Sequence, residues 1–215
     1  MAWDPSNARN CFEPLSAESL VLVLIGPGGV GKGTVAKRLV AADPQLWLSR
    51  SWTTREPRAN EDGSEYDFVD RATFESAIRE DYFLEWALFQ GNLYGTPSPE
   101  LAEERDVVLE IEVQGAEQVR QRHRAALVVL IEPPTMSELH DRLRTRGDSE
   151  NHIARRLSST PNELARGRAL ADYVVINDDI ERVTAEILSI LEGRRRQRRN
   201  PSEKDESHGR TPNAR

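Results

Sequence analysis

A glycine-rich segment directly after a short apolar run is the part of the chain best suited to chemistry. Its sequence is Gly26-Pro27-Gly28-Gly29-Val30-Gly31-Lys32-Gly33-Thr34, and a segment of helical period follows. Closely spaced glycines let successive backbone N–H groups point inward, which forms an anion-binding nest at a helix N-terminus. Lys32 adds an ammonium group at the spacing that suits the outer phosphates of a nucleotide. The order of strand, loop and helix favours a phosphate cradle over the alternative, an ordinary glycine-rich turn.

The position after the lysine has a consequence for magnesium. A serine or threonine usually stands there and donates its hydroxyl oxygen to Mg²⁺. In this chain the residue is Gly33, and Thr34 comes one position later. We therefore expect Mg²⁺ to be held mainly by phosphate oxygens and water, with little direct ligation from this loop.

Two arginines lie three residues apart in the segment Ser51-Trp52-Thr53-Thr54-Arg55-Glu56-Pro57-Arg58. A planar guanidinium group pairs with two phosphate oxygens at once, and the preceding hydroxyl groups add donors. Arg55 and Arg58 therefore form a candidate site for a phosphate monoester. Ordinary surface arginines are the alternative, and the polar residues that follow in the chain favour the site.

An acidic residue interrupts the apolar run Phe83-Leu84-Glu85-Trp86. Burying a carboxyl group is costly unless a donor meets it. Tyr66 precedes this run and Tyr94-Gly95-Thr96 follows it, so hydroxyl donors are close in the sequence. These residues support a polar binding site beside the arginine pair.

Glu110 and Glu112 follow the apolar residues Val107-Val108-Leu109. Residues two apart in a strand face the same side, so both carboxyl groups point the same way. A solvated strand end is the alternative. The preceding apolar run is typical of a central strand and favours a functional position.

Several arginines lie close together further along the chain. Arg142 and Arg146 are four residues apart on one helix face, and Arg155 and Arg156 follow. Phosphoryl transfer needs cations where negative charge develops, which is one interpretation of this cluster. The alternative is a basic helix stabilised by pairs such as Glu138 with Arg142.

Short apolar runs alternate with segments of helical period from Leu20 onward. The runs are 20–25, 107–111, 127–131 and 173–176, and the predicted helices lie near 32–42, 114–122, 135–145 and 179–192. Runs rich in valine and isoleucine are typical of parallel strands buried on both faces. This alternation predicts a parallel sheet covered by helices on both sides.

Two segments break that alternation. Residues 47–98 are rich in aromatic residues, glycine and threonine, with short strand-like pieces around a helical piece at Arg71–Glu80. They predict an inserted mixed lobe. The polar segment 146–152 predicts a mobile lid.

Composition excludes several classes of protein. One cysteine, Cys11, and four scattered histidines rule out an intrachain disulfide framework and the usual zinc-ligand spacings. The longest aliphatic run, Leu20–Ile25, is far too short to cross a membrane, and residues 1–15 lack the apolar stretch of a signal peptide. We therefore expect a cytoplasmic protein without membrane contact.

Charge is distributed unevenly along the chain. The net charge is −7, from 29 basic and 36 acidic residues, yet residues 193–215 hold seven arginines and one lysine against three acids. The acidic body argues against a whole-domain nucleic-acid binder. We predict a polar extension at 1–19 and a disordered tail at 193–215, because that tail has too few apolar side chains to bury. A solvated tail is one interpretation, and contact with RNA or another polyanion is the other.

Together these segments resemble the guanylate kinases over about residues 20–191. The matching stretches, in chain order, are the glycine-rich loop, 51–58, 65–69, 83–96, 106–115, 142–157 and 174–179. The resemblance implies an α/β fold with a three-layer P-loop NTPase core and a parallel sheet in residues 20–192. It also implies an inserted mixed α/β lobe at about 50–98 that binds a nucleoside monophosphate, and a helical lid at about 142–160.

The resemblance also implies a role for each matching residue. ATP would bind the loop Gly26–Thr34, with Asn177 near the adenine. The GMP site would comprise Ser51, Arg55, Arg58, Tyr66, Glu85, Tyr94, Gly95, Thr96, Glu110 and Glu112. The catalytic cations would be Lys32, Arg55, Arg142, Arg146 and Arg156. Glu85, Thr96 and Glu112 would contact the guanine, whose N1–H and N2–H₂ donors suit a carboxylate, whereas adenine presents a bare N1 acceptor.

The implied activity is transfer of the γ-phosphoryl group of ATP to GMP or dGMP, with Mg²⁺ bound to ATP. The Gly33-Thr34 pair is the one that adenylate kinases have, so a kinase with AMP as acceptor is an alternative. A second alternative is an inactive guanylate-kinase-like domain that binds proteins. Such domains typically lose the loop lysine and glycines, which are present in this chain. The protein would act as a monomer or a homodimer.

Several features depart from the usual pattern of that family. The segment between Arg58 and Tyr66, and the one between Arg146 and Arg156, each appear one residue shorter. Trp52 replaces a small residue. Thr160-Pro161-Asn162-Glu163 has the pattern of a helix start, with a threonine cap and a proline in the first position, so we expect a kink or break there.

Overall fold

The computed structural model describes residues 19–57, 66–98 and 105–199. Its larger sheet consists of β1 (Val21–Ile25), β2 (Leu46–Leu48), β7 (Asp106–Glu110), β8 (Leu127–Glu132) and β9 (Tyr173–Ile176). All neighbouring strands are parallel, in the order β2-β7-β1-β8-β9. Because β1 lies in the centre, the loop that follows it opens at the middle of the carboxyl edge of the sheet. Ligands bind at this edge in open α/β sheets.

Helices cover both faces of this sheet. They are α1 (Lys32–Ala42), α3 (Val113–Arg122), α4 (Met136–Thr145), α5 (Glu150–Leu170) and α6 (Ile180–Arg199). Side chains alternate along β1, so Leu22 and Leu24 pack with α1, α4 and α6 on one face. Val21 and Val23 pack with α3 on the other face. The predicted three-layer α/β core is confirmed.

A second sheet forms the inserted lobe. Its strands are β3 (Ser51–Thr53), β4 (Tyr66–Phe68), β5 (Phe83–Phe89) and β6 (Asn92–Pro97), in the order β4-β3-β6-β5, and α2 (Arg71–Arg79) packs on it. The lobe has a small core of its own, in which the Trp52 ring lies 5.1 Å from that of Tyr82 and 5.6 Å from that of Phe83. The large residue at position 52 therefore fills this core.

The strand β2 is an element that the sequence did not predict. It has only three residues and pairs with β7 at the edge of the larger sheet. A segment this short has too little periodicity to be identified from sequence. It ends the core sheet on the side from which the inserted lobe departs.

The predicted disordered tail is wrong for residues 193–199, which continue α6. Arg195 explains the extension, because its Nη1 donates to Asp43 at 2.6 Å and its Nε to Asp106 at 2.7 Å. Arg198 donates to the Ser19 carbonyl at 2.8 Å. The end of the basic helix is therefore attached to the acidic edge of the core. Residues 200–215 and the extension at 1–18 lie outside the described residues.

The sequence predicted a kink or break at Thr160-Pro161. The break is wrong, because α5 runs unbroken from Glu150 to Leu170 with Pro161 inside it, and the kink stays a prediction. Proline removes one intrahelical hydrogen bond. Beside the proline, the Thr160 hydroxyl donates to the Arg156 carbonyl at 2.8 Å, an additional bond that does not replace the one Pro161 lacks. Ile153 and Leu164, one on each side of the proline, are both buried against the sheet clusters. Packing on both sides thus keeps the helix continuous.

The segment predicted as a lid comprises the end of α4, a short connection at 146–149 and the first half of α5. Its motion stays a prediction. Within the described ranges, no helix has both the length and the apolar character needed to span a membrane.

Candidate functional site

The glycine-rich loop joins the end of β1 to the start of α1. Gly31 precedes the helix with φ 103°, and Gly26 has φ 146°. A Cβ at Gly26 would lie 2.3 Å from the Ile131 carbonyl oxygen, so the loop passes directly over β8. Both positions need glycine, for the left-handed backbone and, at Gly26, for the close approach.

Lys32 is the first residue of α1, and its side chain folds back over the loop. Its Nζ donates to the Gly26 carbonyl at 2.6 Å and lies 3.9 Å from Oε1 of Glu112. The side chain is only 7% exposed. The ammonium group is thus held in place at the loop before any phosphate arrives.

Arg156 of α5 lies against the same loop. A Cβ at Gly28 would be 1.8 Å from its Nη1, so only glycine leaves room for the guanidinium group. Arg146 is bonded to the carboxylate of Asp148, whose Oδ2 is 3.8 Å from Nε of Arg156. Burial opposes ionisation of Asp148, but the hydrogen bond from Arg146 and the nearby positive charges outweigh it and lower its pKa. Two cations and one anion are therefore grouped beside the loop.

Arg142 and Asn177 hold the loop from outside. Nη1 of Arg142 donates to the Val30 carbonyl at 3.1 Å, and Nδ2 of Asn177 donates to the same carbonyl at 2.7 Å. Arg142 also bonds Glu138 and the Asn177 carbonyl. The structure therefore places both predicted residues as supports of the loop backbone rather than in the lining of the cleft described below.

Glu85 lies in the lobe with Thr96 as its register partner across β5 and β6. The Thr96 hydroxyl donates to Oε1 of Glu85 at 2.6 Å and lies 3.2 Å from the Ser51 hydroxyl. Glu85 is 3% exposed. Burial raises the pKa of Glu85 to about 7, against the lowering effect of the Thr96 hydrogen bond. Glu85 is thus a buried carboxyl whose donors come from Thr96.

Aromatic residues line the space between Glu85 and the loop. The rings of Tyr66 and Tyr94 are 6.1 Å apart, and Cζ of Arg55 lies 5.3 Å from the Tyr66 ring centroid. Burial, followed by the charge of Glu110, raises the pKa of Tyr66 far above its ordinary value, so its hydroxyl stays a neutral donor. A phosphate placed here would meet a guanidinium group and phenolic hydroxyls.

These groups surround one cleft of about 860 Å³ between the loop, the lobe and the lid segment. A smaller pocket of about 30 Å³ lies beside it under Glu85. The predicted residues that line the cleft are Pro27, Gly28, Gly29, Gly31, Lys32, Gly33, Thr34, Arg55, Tyr66, Tyr94, Glu110, Glu112, Arg146 and Arg156. Ser51, Glu85 and Gly95 line the smaller pocket and not the cleft. Arg58 lies outside the described residues.

Sequence reasoning missed several polar residues of this region, among them Ser149, which lines the cleft. Asp148 and His152 line the cleft, and His152 Nε2 lies 3.0 Å from Oε1 of Gln90 in the lobe. Glu163 of α5 has Glu112 and Lys32 as its electrostatic neighbours. Asp148 and His152 lie in the polar segment 146–152 that was predicted as a lid, so the sequence contained a feature that could have identified them. Glu163 had none, because only the packing of α5 brings it to the site.

Comparison with known proteins agrees with this geometry. The family model described as guanylate kinase matches residues 18–194. A guanylate kinase of Myxococcus xanthus is 42% identical over 191 residues, covering 86% of this chain and 90% of that protein. One of Thermus thermophilus is 47% identical over 182 residues, covering 82% of each chain. The crystal structure of guanylate kinase from Anaplasma phagocytophilum has a TM-score of 0.67 at 30% identity, covering 84% of this chain and 88% of that one. This chain belongs to the guanylate kinase family.

Proposed function

We propose that this protein transfers the γ-phosphoryl group of ATP to GMP or dGMP, giving ADP and GDP or dGDP. The observation that supports it most directly is the buried carboxyl of Glu85 at one end of a cleft whose other end is the glycine-rich loop. An anion-binding loop alone suits any nucleotide kinase. A carboxyl with its own hydroxyl donor in the adjoining pocket selects a purine that presents N–H groups at its pairing edge.

The acceptor nucleotide would lie in the lobe. Glu85 and Glu112 would accept hydrogen bonds from N1–H and N2–H₂ of guanine, and Thr96 would keep Glu85 oriented. The GMP phosphate would bind Arg55 with the hydroxyls of Tyr66 and Tyr94, beside Ser51, Gly95 and Glu110, and Arg58 would complete this site. AMP would offer no N–H donor at the position of guanine N1–H to the carboxyl oxygens that face the base, which disfavours AMP.

The donor nucleotide would lie on the loop Gly26–Thr34. Backbone N–H groups and Lys32 would hold the β- and γ-phosphates, and Arg146 and Arg156 would lie near the transferred group. Arg142 and Asn177 would act through the loop backbone, with Asn177 on the adenine side. An oxygen of the GMP phosphate would attack the γ-phosphorus, the bond to the bridging oxygen of ADP would break, and these cations would compensate the charge.

Magnesium would accompany ATP. Gly33 offers no side chain, and Thr34 is the hydroxyl residue of the loop that lines the cleft. This donor set suits a metal held mainly by phosphate oxygens and water. When bound, Mg²⁺ would neutralise phosphate charge.

Steady-state kinetics with GMP, dGMP and AMP tests the proposal. We expect GMP to exceed AMP in kcat/KM by at least about a hundredfold, the selectivity that an unpaired buried polar group produces. Glu85→Gln should reduce this ratio. Glu75→Gln, which removes an exposed carboxylate from α2 of the same lobe, should leave it unchanged. A kcat/KM for AMP equal to or above that for GMP would overturn the proposal.

A further inference from the structure

A half-buried acid on α5, Glu163, takes no part in the proposed reaction. Glu163 lies on the helix face that also holds Arg156 and Thr160, both buried toward the loop. Its Oε1 is fully buried, and so is Oε2 of Glu112. A deprotonated carboxylate can only accept hydrogen bonds. If both groups are deprotonated, neither of these two oxygens has a hydrogen-bond partner within the described part of the chain.

The packing of α5 on α3 brings these two carboxyl groups together. Leu164 packs in the same apolar cluster as Val113, the first residue of α3. One turn further on, Arg166 donates to both carboxylate oxygens of Glu117 at 2.8 Å. These contacts hold α5 against the start of α3, so Glu163 stays within hydrogen-bonding reach of Glu112.

The two cations near the pair also interact with other groups, so they do not fully neutralise two carboxylates. Besides Glu112, the charged neighbours of Glu163 are Lys32 of α1 and Arg156 of its own helix. Lys32 lies nearer the other acid, with Nζ 3.9 Å from Oε1 of Glu112. Two adjacent buried carboxyl groups lower their energy by sharing one proton, which turns one acceptor into a donor. That proton satisfies both orphaned oxygens at once.

We propose that Glu163 is a positioning residue that holds this proton and donates a hydrogen bond to Glu112, which is thereby oriented toward the guanine. The inference rests on the proposed function, because it assigns Glu112 to GMP. It names Glu163 as a determinant of GMP affinity that does not itself touch the nucleotide. A donor at Oε2 fixes the carboxylate plane of Glu112, while the other oxygen, Oε1, lies 3.9 Å from Nζ of Lys32 and would also face the guanine.

The sign of the pH dependence follows. Burial and then the charge of Glu112 raise the pKa of Glu163, while Lys32 and Arg156 oppose the shift. Below the titration of the pair, Glu163 donates to Glu112. Above it, two carboxylates repel each other and Glu112 loses its orientation, so affinity for GMP falls as pH rises. Linkage then requires proton uptake when GMP binds near that pH.

The experiment measures KM for GMP and kcat from about pH 6 to pH 9 in the wild type, Glu163→Gln and Glu163→Ala. We expect the wild-type KM to rise about tenfold over this range and the Glu163→Gln profile to be flatter, since its amide donates at every pH. At the acidic end, Glu163→Ala should have a KM about tenfold above that of Glu163→Gln, with kcat changed less than KM. Glu150→Gln, an exposed acid on the same helix, is the matched control.

Other ionisable groups also contribute to the pH dependence of GMP binding, and comparing variants separates their contribution from that of Glu163. Glu85 and Tyr66 face Glu112 from the lobe, and both remain in every variant. GMP itself also ionises in this pH range, but it does so equally in the measurements on the wild type and on every variant. Calorimetry of GMP binding in two buffers of different ionisation enthalpy should show proton uptake in the wild type that Glu163→Gln reduces. Thermal unfolding checks that each variant is folded.

The outcomes separate the two hypotheses. Identical pH profiles and proton uptake in the wild type and Glu163→Gln would overturn the role of Glu163, even with full GMP kinase activity. If Glu163→Ala does not fold, the comparison of the wild type with Glu163→Gln alone decides the question. A wild type without GMP phosphorylation or GMP binding would instead overturn the proposed function.

Discussion

The cations at the loop end of the cleft and the acids at the lobe end are compensated differently. At the loop end, Lys32 donates to a backbone carbonyl, and Arg146 is paired with Asp148. At the lobe end, Glu85 has one hydroxyl donor, and Glu112 has another carboxyl beside it. The cations are already oriented by protein acceptors that a phosphate can supplement. The acids are held in a less favourable state that a ligand with N–H donors would relieve.

This difference explains how one cleft could bind two anionic nucleotides and still distinguish one purine base from another. Phosphate binding at the loop end depends on charge and backbone N–H groups, which any nucleotide satisfies. Selectivity at the lobe end depends on the cost of leaving a buried acceptor unpaired. Variants at the two ends should therefore change different kinetic parameters.

The largest effect is expected at the loop end. Lys32→Ala removes the ammonium group over the phosphates and should lower kcat by about a thousandfold, a loss typical of a preorganised transition-state contact. GMP binding measured by calorimetry should change far less. Arg38→Ala removes an exposed cation from the same helix and should retain wild-type turnover. Wild-type kcat in Lys32→Ala would contradict this role.

At the lobe end, the buried acid Glu85 should instead make the free energy of unfolding depend on pH. The pKa of Glu85 is about 7 in the folded protein against 4.5 for the free group, so the folded state binds the proton more tightly. Stability conferred by that proton is lost as pH rises from about 4.5 through 7, by up to about 3 kcal/mol. Chemical unfolding of the wild type and Glu85→Gln at several pH values measures it. Parallel pH profiles would show that Glu85 is not responsible.

A smaller effect is expected from the anion at the loop end. Asp148→Asn keeps the shape but removes the charge that positions Arg146 and Arg156, so kcat should fall by about tenfold. KM for ATP should stay level or fall, because a negative charge leaves the cleft. Asp141→Asn on the exposed side of α4 is the control. An increase in KM for ATP with unchanged kcat would contradict a positioning role.

The smallest effect is expected from the hydrogen bond between His152 of α5 and Gln90 of the lobe. Burial and then the Arg156 charge lower the pKa of His152, so at neutral pH the ring meets Gln90 uncharged. One neutral hydrogen bond contributes about 1 kcal/mol, and Gln90→Ala should therefore raise KM for GMP no more than about fivefold. The effect should not vary between pH 7 and 8, at the precision of steady-state kinetics. A larger change confined to acidic pH would indicate a charged contact.

Much of the core could be predicted from local sequence. The helix predicted near 32–42 is α1 with the same bounds, and the runs predicted as strands are β1, β7, β8 and β9. The glycine-rich loop lies where the order of strand, loop and helix placed it. These signals are local because buried parallel strands are apolar along their whole length and a phosphate loop needs glycine at particular positions.

The errors have a common physical cause. Arg195 appeared to belong to a solvated tail, but its two partners stand at positions 43 and 106. Pro161 appeared to begin a helix, but burial on both sides keeps α5 continuous. In each case the deciding contacts lie outside the segment that was interpreted.

The sequence by itself determined the type of chemistry: a glycine nest with a lysine, paired arginines, and an acid within an apolar run. Those signals are contiguous, and their residue types alone restrict what they can bind. Only the tertiary structure decided that Arg142 and Asn177 support the loop from outside and that Glu163 stands behind Glu112. The reason is distance along the chain, because such contacts exist only after α5 and α6 have packed on the sheet.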